Sequence, residues 1–274
     1  MVTPETAIVV PCYNEERRLD ANEFRKFLFC NRDCFLLFVD DGSKDRTLDV
    51  LHALEDVFPE NIGILSLPQN CGKAEAVRQG LLAALKYRPK FVGYWDADLA
   101  TPLNEIPRFC ETFKHLDRVS IVLGSRMRLV GHKVSRQIVR RMLGKAFAFA
   151  ASTVLSIRIR DTQCGAKMLR VTDTTSRLFQ TPFLSTWIFD VEILARMKHF
   201  EGFDRHGVFE LPVAEWNEIA GSKLKPFDFI RAAKELYWIH QRYRGEMKGW
   251  DSKPSTEEAA ALEIPQKATS RRAA

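Results

Sequence analysis

With 274 residues, 46% hydrophobic and 28% charged, the chain has ordinary globular composition and enough length to bury a core without disulfides or structural metal, as one large domain or two small ones. Its 41 Lys and Arg against 35 Asp and Glu leave a net charge of +6, which suits a nucleotide, a phosphorylated substrate or an anionic membrane surface but is too weak to mark a nucleic-acid binder. No stretch reaches the roughly 18–20 apolar residues of a bilayer span, and the opening MVTPET has neither the basic region nor the apolar core of a signal peptide, so a cytosolic chain is expected.

Residues 7–10 are a strand-like apolar run, followed by a helical pattern over 14–31. Residues 35–39 (FLLFV) form a second buried strand, and 45–58 a helix with Leu48, Leu51, Leu54 and Phe58 at helical spacing. A strand over 62–67, a helix over 72–86, a strand over 91–95, a helix over 102–115 with Pro102 in its first turn, and a strand over 120–124 complete this half. Continuous apolar strands alternating with helices of about 10–15 residues indicate an α/β fold: a doubly wound, mostly parallel sheet flanked by helices. Right-handed crossovers bring the strand C-termini to one edge, where ligands bind. The second half breaks this rhythm. It carries a long helix over 135–157, basic and then apolar, an extended segment over 161–171, a short helix over 190–199, a strand over 208–216 and an aromatic-rich helix over 227–244. From about residue 250 the composition predicts a disordered tail. Cys12, Cys30, Cys34, Cys71, Cys110 and Cys164 contain no CxxC pair, so zinc spacing is absent and reduced thiols are expected.

Polar clusters follow the strands: Pro11-Cys12-Tyr13-Asn14-Glu15 after the first, Asp40-Asp41-Gly42-Ser43 after the second and Asp96-Ala97-Asp98 after the fourth. The second and the third, each alone, read as a turn or a helix cap. Together, acids at neighbouring strand ends repel, and a divalent cation with a ligand hydroxyl relieves that repulsion. Alternation along extended chain puts Asp96 and Asp98 on one side, and no cation partner for Asp98 is evident in the sequence.

The series VVPCYNE (9–15), FVDDGSKDRT (38–47), QNCGKAEAVRQG (69–80), WDADLATP (95–102) and LGSR (123–126) resembles the inverting nucleotide-sugar glycosyltransferases of family 2, which have the GT-A fold. RDTQCGAK (160–167), WIFDVEIL (187–194) and WNEIAGSKL (216–224) resemble its dolichyl-phosphate β-glucosyltransferase branch and, more distantly, polyprenyl-phosphate mannose synthases. The resemblance implies one catalytic domain over 1–249, with a nucleotide-sugar half to about 126 and an acceptor half beyond. It implies that Pro11, Tyr13, Glu15 and Asp41 hold uracil and ribose with Asp40 nearby, and that Lys73 lies over the nucleotide. Asp96 and Asp98 would hold the donor diphosphate through Mg²⁺ or Mn²⁺. Arg126, with Arg136 or Arg140, would grip the acceptor phosphate, and Lys223 would reach the phosphates. Gln163, Trp187 and Asp190 would line the sugar pocket. Mannose synthases carry Gln two positions after the second acid, and Ala100 there favours the glucosyl branch.

The implied reaction moves glucose from UDP-glucose to a polyprenyl phosphate at the cytosolic membrane face. The alternatives are GDP-mannose, a soluble acceptor, or a nucleotide-binding subunit that transfers nothing; the intact acids Asp41, Asp96 and Asp98 speak against the last. A dinucleotide oxidoreductase is disfavoured because no GxGxxG follows the first strand. A monophosphate acceptor, with its second pKa of about 6, is already a dianion at neutral pH and does not strictly need a base. If one exists, Asp190 is the first candidate and Asp161 the second; for Asp161 a salt bridge to Arg158 or Arg160 is an equal reading. Peripheral membrane association is expected through 135–157, where Arg136, Arg140, Arg141 and Lys145 precede Phe147, Phe149, Val154 and Leu155; a core helix packed on the sheet is the competing reading. Trp216 and the aromatics of 227–243 are expected to pack internally, and Cys164 to be a small buried thiol.

Overall fold

Strands that are apolar at every position must be covered on both faces, and this requirement organises the protein. The computed structural model describes residues 3–127, 131, 133–134, 138–201, 206–217 and 226–244. In chain order the elements are β1 (Thr6–Cys12), α1 (Ala21–Cys30), β2 (Cys34–Asp40), α2 (Thr47–Glu55), β3 (Ile62–Ser66), α3 (Lys73–Leu85), β4 (Phe91–Trp95), α4 (Ile106–His115), β5 (Ile121–Ser125), β6 (Lys133–Val134), α5 (Ile138–Leu155), β7 (Ala166–Arg170), α6 (Phe189–Glu201), β8 (Val208–Pro212), β9 (Glu215–Trp216) and α7 (Pro226–Arg244). Seven strands form one sheet in the order β3-β2-β1-β4-β7-β5-β8, and β6 pairs with β9 in a small second sheet. Every residue of β2 is buried. Val9, Leu37 and Tyr94 face one core with α3, α6 and α7; Ile8, Leu36 and Trp95 face the other with α1, α2 and α4.

The mostly parallel, helix-flanked sheet is as expected, with differences that have local causes. The first helix begins at Ala21 rather than at 14, because Asp20 caps it by accepting from the Asn22 and Glu23 amides and Asn14 sits in the left-handed region at φ 53°. The extended segment over 161–171 contains β7, which runs antiparallel between β4 and β5. The strand expected over 208–216 is split: Val213 N–H donates to Ser125 O at 3.1 Å and Ala214 N–H to Glu105 Oε1 at 2.9 Å, which draws the chain off the edge of β5. In α5, Ala148, Ala151 and Leu155 are buried while Phe149 is exposed. The core-helix reading therefore holds for its C-terminal half; its basic side chains from 138 to 143 lie outside the described part. In α7, Ala232, Leu236 and Ile239 pack inward, but Tyr237 and Trp238 are exposed, against the expectation of internal packing. The six cysteines are free thiols. Residues 250–274, where a tail was expected, lie outside the described residues.

Candidate active site

The C-terminal ends of β1, β2 and β4 and the N-terminus of α3 open onto a cleft of about 290 Å³. Its far wall starts at the turn after β2. Gly42 is at φ +64°, and a Cβ there would sit 2.5 Å from the Gln69 carbonyl carbon, so only glycine lets this turn close against the 69–72 loop. Asp41 then fixes that loop: its carboxylate accepts from Cys71 N–H at 2.7 Å and Gly72 N–H at 2.8 Å. Burial raises the Asp41 pKa, and these two amides oppose the rise. The result places the N-terminus of α3, with Gly72, Lys73 and Ala76, on the cleft. A helix N-terminus with a lysine is suited to an anion. Asp40, expected near the nucleotide, precedes the cleft-lining Asp41 and closes the turn: it is buried, and its carboxylate accepts from Ser43 N–H at 3.3 Å and Ser66 Oγ–H at 3.4 Å.

The near wall is acidic. Pro11, Tyr13 and Glu15 line it from β1 and the turn beyond, and Asp96 and Asp98 from the end of β4. Asp96 Oδ1 lies 2.5 Å from Lys73 Nζ, an ion pair spanning the cleft. Asp98 Oδ1 accepts from Ala100 N–H at 3.1 Å. Its Oδ2 lies 3.6 Å from Arg18, which also reaches Glu15 at 3.4 Å; the expectation that Asp98 lacks a cation partner is thus corrected. Burial and then the charge of Asp96 raise the Asp98 pKa. Burial also raises that of Glu15, with Arg18 opposing and Asp98, Asp45 and Asp96 adding. Glu15 Oε2 is buried without a hydrogen-bond partner among the described residues. Carboxylate oxygens crowded to this degree, one of them unsatisfied, fit a hard divalent cation, although no group of three His, Cys, Asp or Glu among the described residues already converges on one point.

Behind Asp96 stands Gly165, whose carbonyl accepts the Asp96 N–H at 2.9 Å. Any Cβ on Gly165 would collide with the Asp96 carboxylate. Gly165→Ala is therefore expected to displace Asp96 and lower kcat/KM about 100-fold with the circular dichroism spectrum unchanged; wild-type turnover in this variant would mean that the position of Asp96 is unimportant.

Beneath the cleft, Asp190 at the start of α6 is buried. Tyr94 O–H donates to its Oδ1, Lys167 Nζ pairs with the same oxygen at 2.9 Å, and Gln163 Nε2 donates to Oδ2 at 3.4 Å. Burial pushes the Asp190 carboxyl up to about 8, against the pull of Lys73, and the Lys167 ammonium down to about 8.

Asp161 is a different case. Arg126 grips it bidentately, Nε to Oδ2 and Nη2 to Oδ1, both at 2.7 Å. Arg126 N–H and Gln163 N–H donate to the same carboxylate. The salt-bridge reading of Asp161 thus holds with Arg126 as the partner, in place of Arg158 or Arg160. Arg126, expected to hold an acceptor phosphate, also stacks on Trp216, 5.3 Å from the ring centroid; its Nε and Nη2 are the atoms engaged by Asp161. Trp187 does not line the cleft: its amide donates to Glu235 at 3.1 Å and its side chain packs on the core. Arg136 and Lys223 lie outside the described residues; Arg140 lies in α5 with its side chain outside the described part.

Arg18, Tyr94, Gly165 and Lys167 escaped sequence reasoning. Tyr94 had a signal, since it precedes Asp96 by two and so shares its face of the strand. Lys167 had another, as a charge inside an apolar strand.

A family-wide sequence profile described as "Glycosyl transferase family 2" matches residues 7–175. Curated relatives include the dolichyl-phosphate beta-glucosyltransferases of Dictyostelium discoideum, 33% identical over 255 residues (86% of this chain, 74% of the relative), and of Homo sapiens, 30% identical over 260 residues (88% and 76%). That of Saccharomyces cerevisiae is 32% identical over 263 residues (86% and 74%). Among solved structures, glucosyl-3-phosphoglycerate synthase from Mycobacterium tuberculosis, in complex with Mn²⁺, UDP and glucosyl-3-phosphoglycerate, superposes with a TM-score of 0.61. It is 16% identical, and the match covers 90% of this chain and 82% of that one, a likeness of fold. Matching profile, relatives that agree along most of the chain, and a cleft built from the quoted motifs converge: the chain belongs to glycosyl transferase family 2, as an enzyme of GT-A fold.

Proposed function

We propose that the enzyme transfers glucose from UDP-glucose to a dolichyl-type polyprenyl phosphate with inversion at the anomeric carbon, working peripherally at the cytosolic face of a membrane. The observation that carries this reading is the cleft itself, where the Asp96–Asp98 pair stands opposite Lys73 and the N-terminus of α3 in a chain whose relatives are dolichyl-phosphate beta-glucosyltransferases.

The roles follow from the geometry. Pro11, Tyr13 and Glu15 take the nucleoside, and Asp41 acts indirectly by ordering the loop that carries Gly72 and Lys73. Lys73 and the amides of α3 take the diphosphate, on which negative charge grows as the sugar leaves. Asp96 and Asp98 would hold Mg²⁺ or Mn²⁺, which when bound offsets that leaving charge. Asp190 Oδ2, beside Gln163, accepts the proton of an acceptor that arrives as the monoanion. Membrane attachment is assigned to α5 and its basic approach; among the described residues no helix is long and apolar enough to cross a membrane.

The test is a panel of nucleotide sugars offered with a short-chain polyprenyl phosphate, and in parallel with a soluble phosphate monoester, together with co-sedimentation on anionic liposomes at low and high salt. UDP-glucose and the lipid phosphate are expected to give the product, and liposome binding is expected to weaken with salt. Preference for GDP-mannose overturns the donor assignment. Turnover of the soluble acceptor alone, with no liposome binding at any salt, overturns the acceptor assignment.

A further inference from the structure

Lys167 is the least expected side chain in the sheet. It lies in β7, between β4 and β5, with 1% of its surface exposed. An ammonium has three protons to place and no means of accepting a bond. Here all three find oxygens: Cys164 O at 2.6 Å, Tyr94 Oη at 3.1 Å and Asp190 Oδ1 at 2.9 Å. Stability alone does not account for this arrangement, because replacing a buried ion pair by apolar side chains of similar volume is often neutral or favourable. We propose that Lys167 is a positioning residue, which with Tyr94 clamps Asp190 Oδ1 and so holds Oδ2 toward Gln163 as the oxygen that serves the reaction.

Lys167 touches neither the cleft lining nor the acid pair, and it acts through Asp190. Lys73 also draws the Asp190 pKa down, but Lys167 is the cation in direct contact with its carboxylate, and the other charges nearby have partners of their own. Lys73 on α3 is engaged by Asp96. Glu192, one turn further along α6, is paired with Arg196 at 2.8 Å. Asp161, on the loop before β7, is gripped by Arg126, and Cys164 is a buried thiol whose pKa burial raises. Removing the Lys167 charge leaves Asp190 buried with a single phenol on Oδ1. The proton on Asp190 is then held more tightly, and the pH at which the carboxylate becomes available rises.

This inference rests on Asp190 being the proton acceptor proposed above, and the experiment separates the two. In the full-length enzyme, Lys167→Met and Lys167→Arg are compared with wild type for kcat, donor KM and the pH dependence of kcat, and for the infrared carboxyl band that disappears in Asp190→Asn. In Lys167→Met the limb of kcat set by Asp190 and the titration of that band are both expected to move up by about one pH unit or more, with donor KM unchanged. Lys167→Arg is expected to restore much of the shift. Where Lys167→Met does not fold, Tyr94→Phe removes the other clamp on Oδ1 and is expected to give a smaller shift in the same direction. An unmoved band and an unmoved limb, with activity lost only in step with thermal stability, overturn the positioning role. A band that shifts while the wild-type limb follows only the acceptor's ionisation keeps the clamp and rejects Asp190 as the base.

Discussion

Asp98→Ala is expected to abolish most transfer while leaving the fold in place. The carboxylate anchors little: it accepts from Ala100 N–H and meets half-exposed Arg18 at 3.6 Å. Its charge is instead a burden on the folded state, since burial and Asp96 raise its pKa. A raised carboxyl pKa means that the fold gains from the bound proton below the unfolded value of about 3.9 and loses that gain as pH rises through the folded value. At neutral pH the ionised group therefore opposes folding, and Asp98→Ala is expected to melt no earlier than wild type. Activity behaves in the opposite way. Loss of a ligand for the cation that offsets the leaving diphosphate is expected to cost on the order of 10³ in kcat, about 4 kcal/mol. EDTA is expected to do the same to wild type, with Mg²⁺ or Mn²⁺ restoring it. Full activity in EDTA would end the metal assignment, and a large fall in Tm would show Asp98 to be structural.

Asp190→Asn is expected to lower kcat by about 10²–10⁴, the usual worth of a positioned general base, with UDP affinity within a factor of about two. The amide keeps an oxygen for Tyr94 and Lys167 but cannot take a proton. Because burial pushes the Asp190 carboxyl up to about 8 while the acceptor loses its own proton above about 6, proton transfer to Asp190 is expected to give a wild-type kcat that rises to about pH 6 and falls above about pH 8. The acceptor phosphate alone would level off above its own pKa of about 6. In Asp190→Asn only the lower limb should survive. A kcat within threefold of wild type, with both limbs intact, would remove Asp190 from the chemistry and leave the dianionic acceptor to attack unaided.

The strands of the first half were legible because burial on both faces leaves continuous apolar runs such as FLLFV, and the cleft was legible because its acids follow those runs directly. Direction was not. Residues 166–170 look the same whichever way the strand runs, so β7 was seen as extended but not as antiparallel. Pairing at long range was equally hidden. Asp161 has Arg158 and Arg160 beside it in sequence, yet its carboxylate is held by Arg126, 35 positions away, because β5 and the loop before β7 meet only in the finished sheet. Arg18 was overlooked because the apolar and charged spacing of 14–31 continues smoothly through a stretch that is in fact a turn. The period of α7 revealed that it is a helix but not which aromatics face out, so Tyr237 and Trp238 were assigned inward.

The placement of β7 also governs the order in which the protein is made. β4 and β5 are never hydrogen-bonded neighbours; the gap between them is one strand wide and is filled by a segment that follows α5. About seventy residues separate the end of β4 from the start of β7, roughly 4–14 s of synthesis at 5–20 residues per second. For that interval the nascent chain carries an unpaired edge of sequence FVGYW, the kind of surface that pairs indiscriminately. Lys167 and Gly165 arrive on the same late strand and the loop leading into it, so the residues that back Asp96 and contact Asp190 come into place only when this edge is sealed. Residues 1–126 are not expected to work as a separate unit, because the strand between β4 and β5 and the Gly165 that backs Asp96 both come later in the chain.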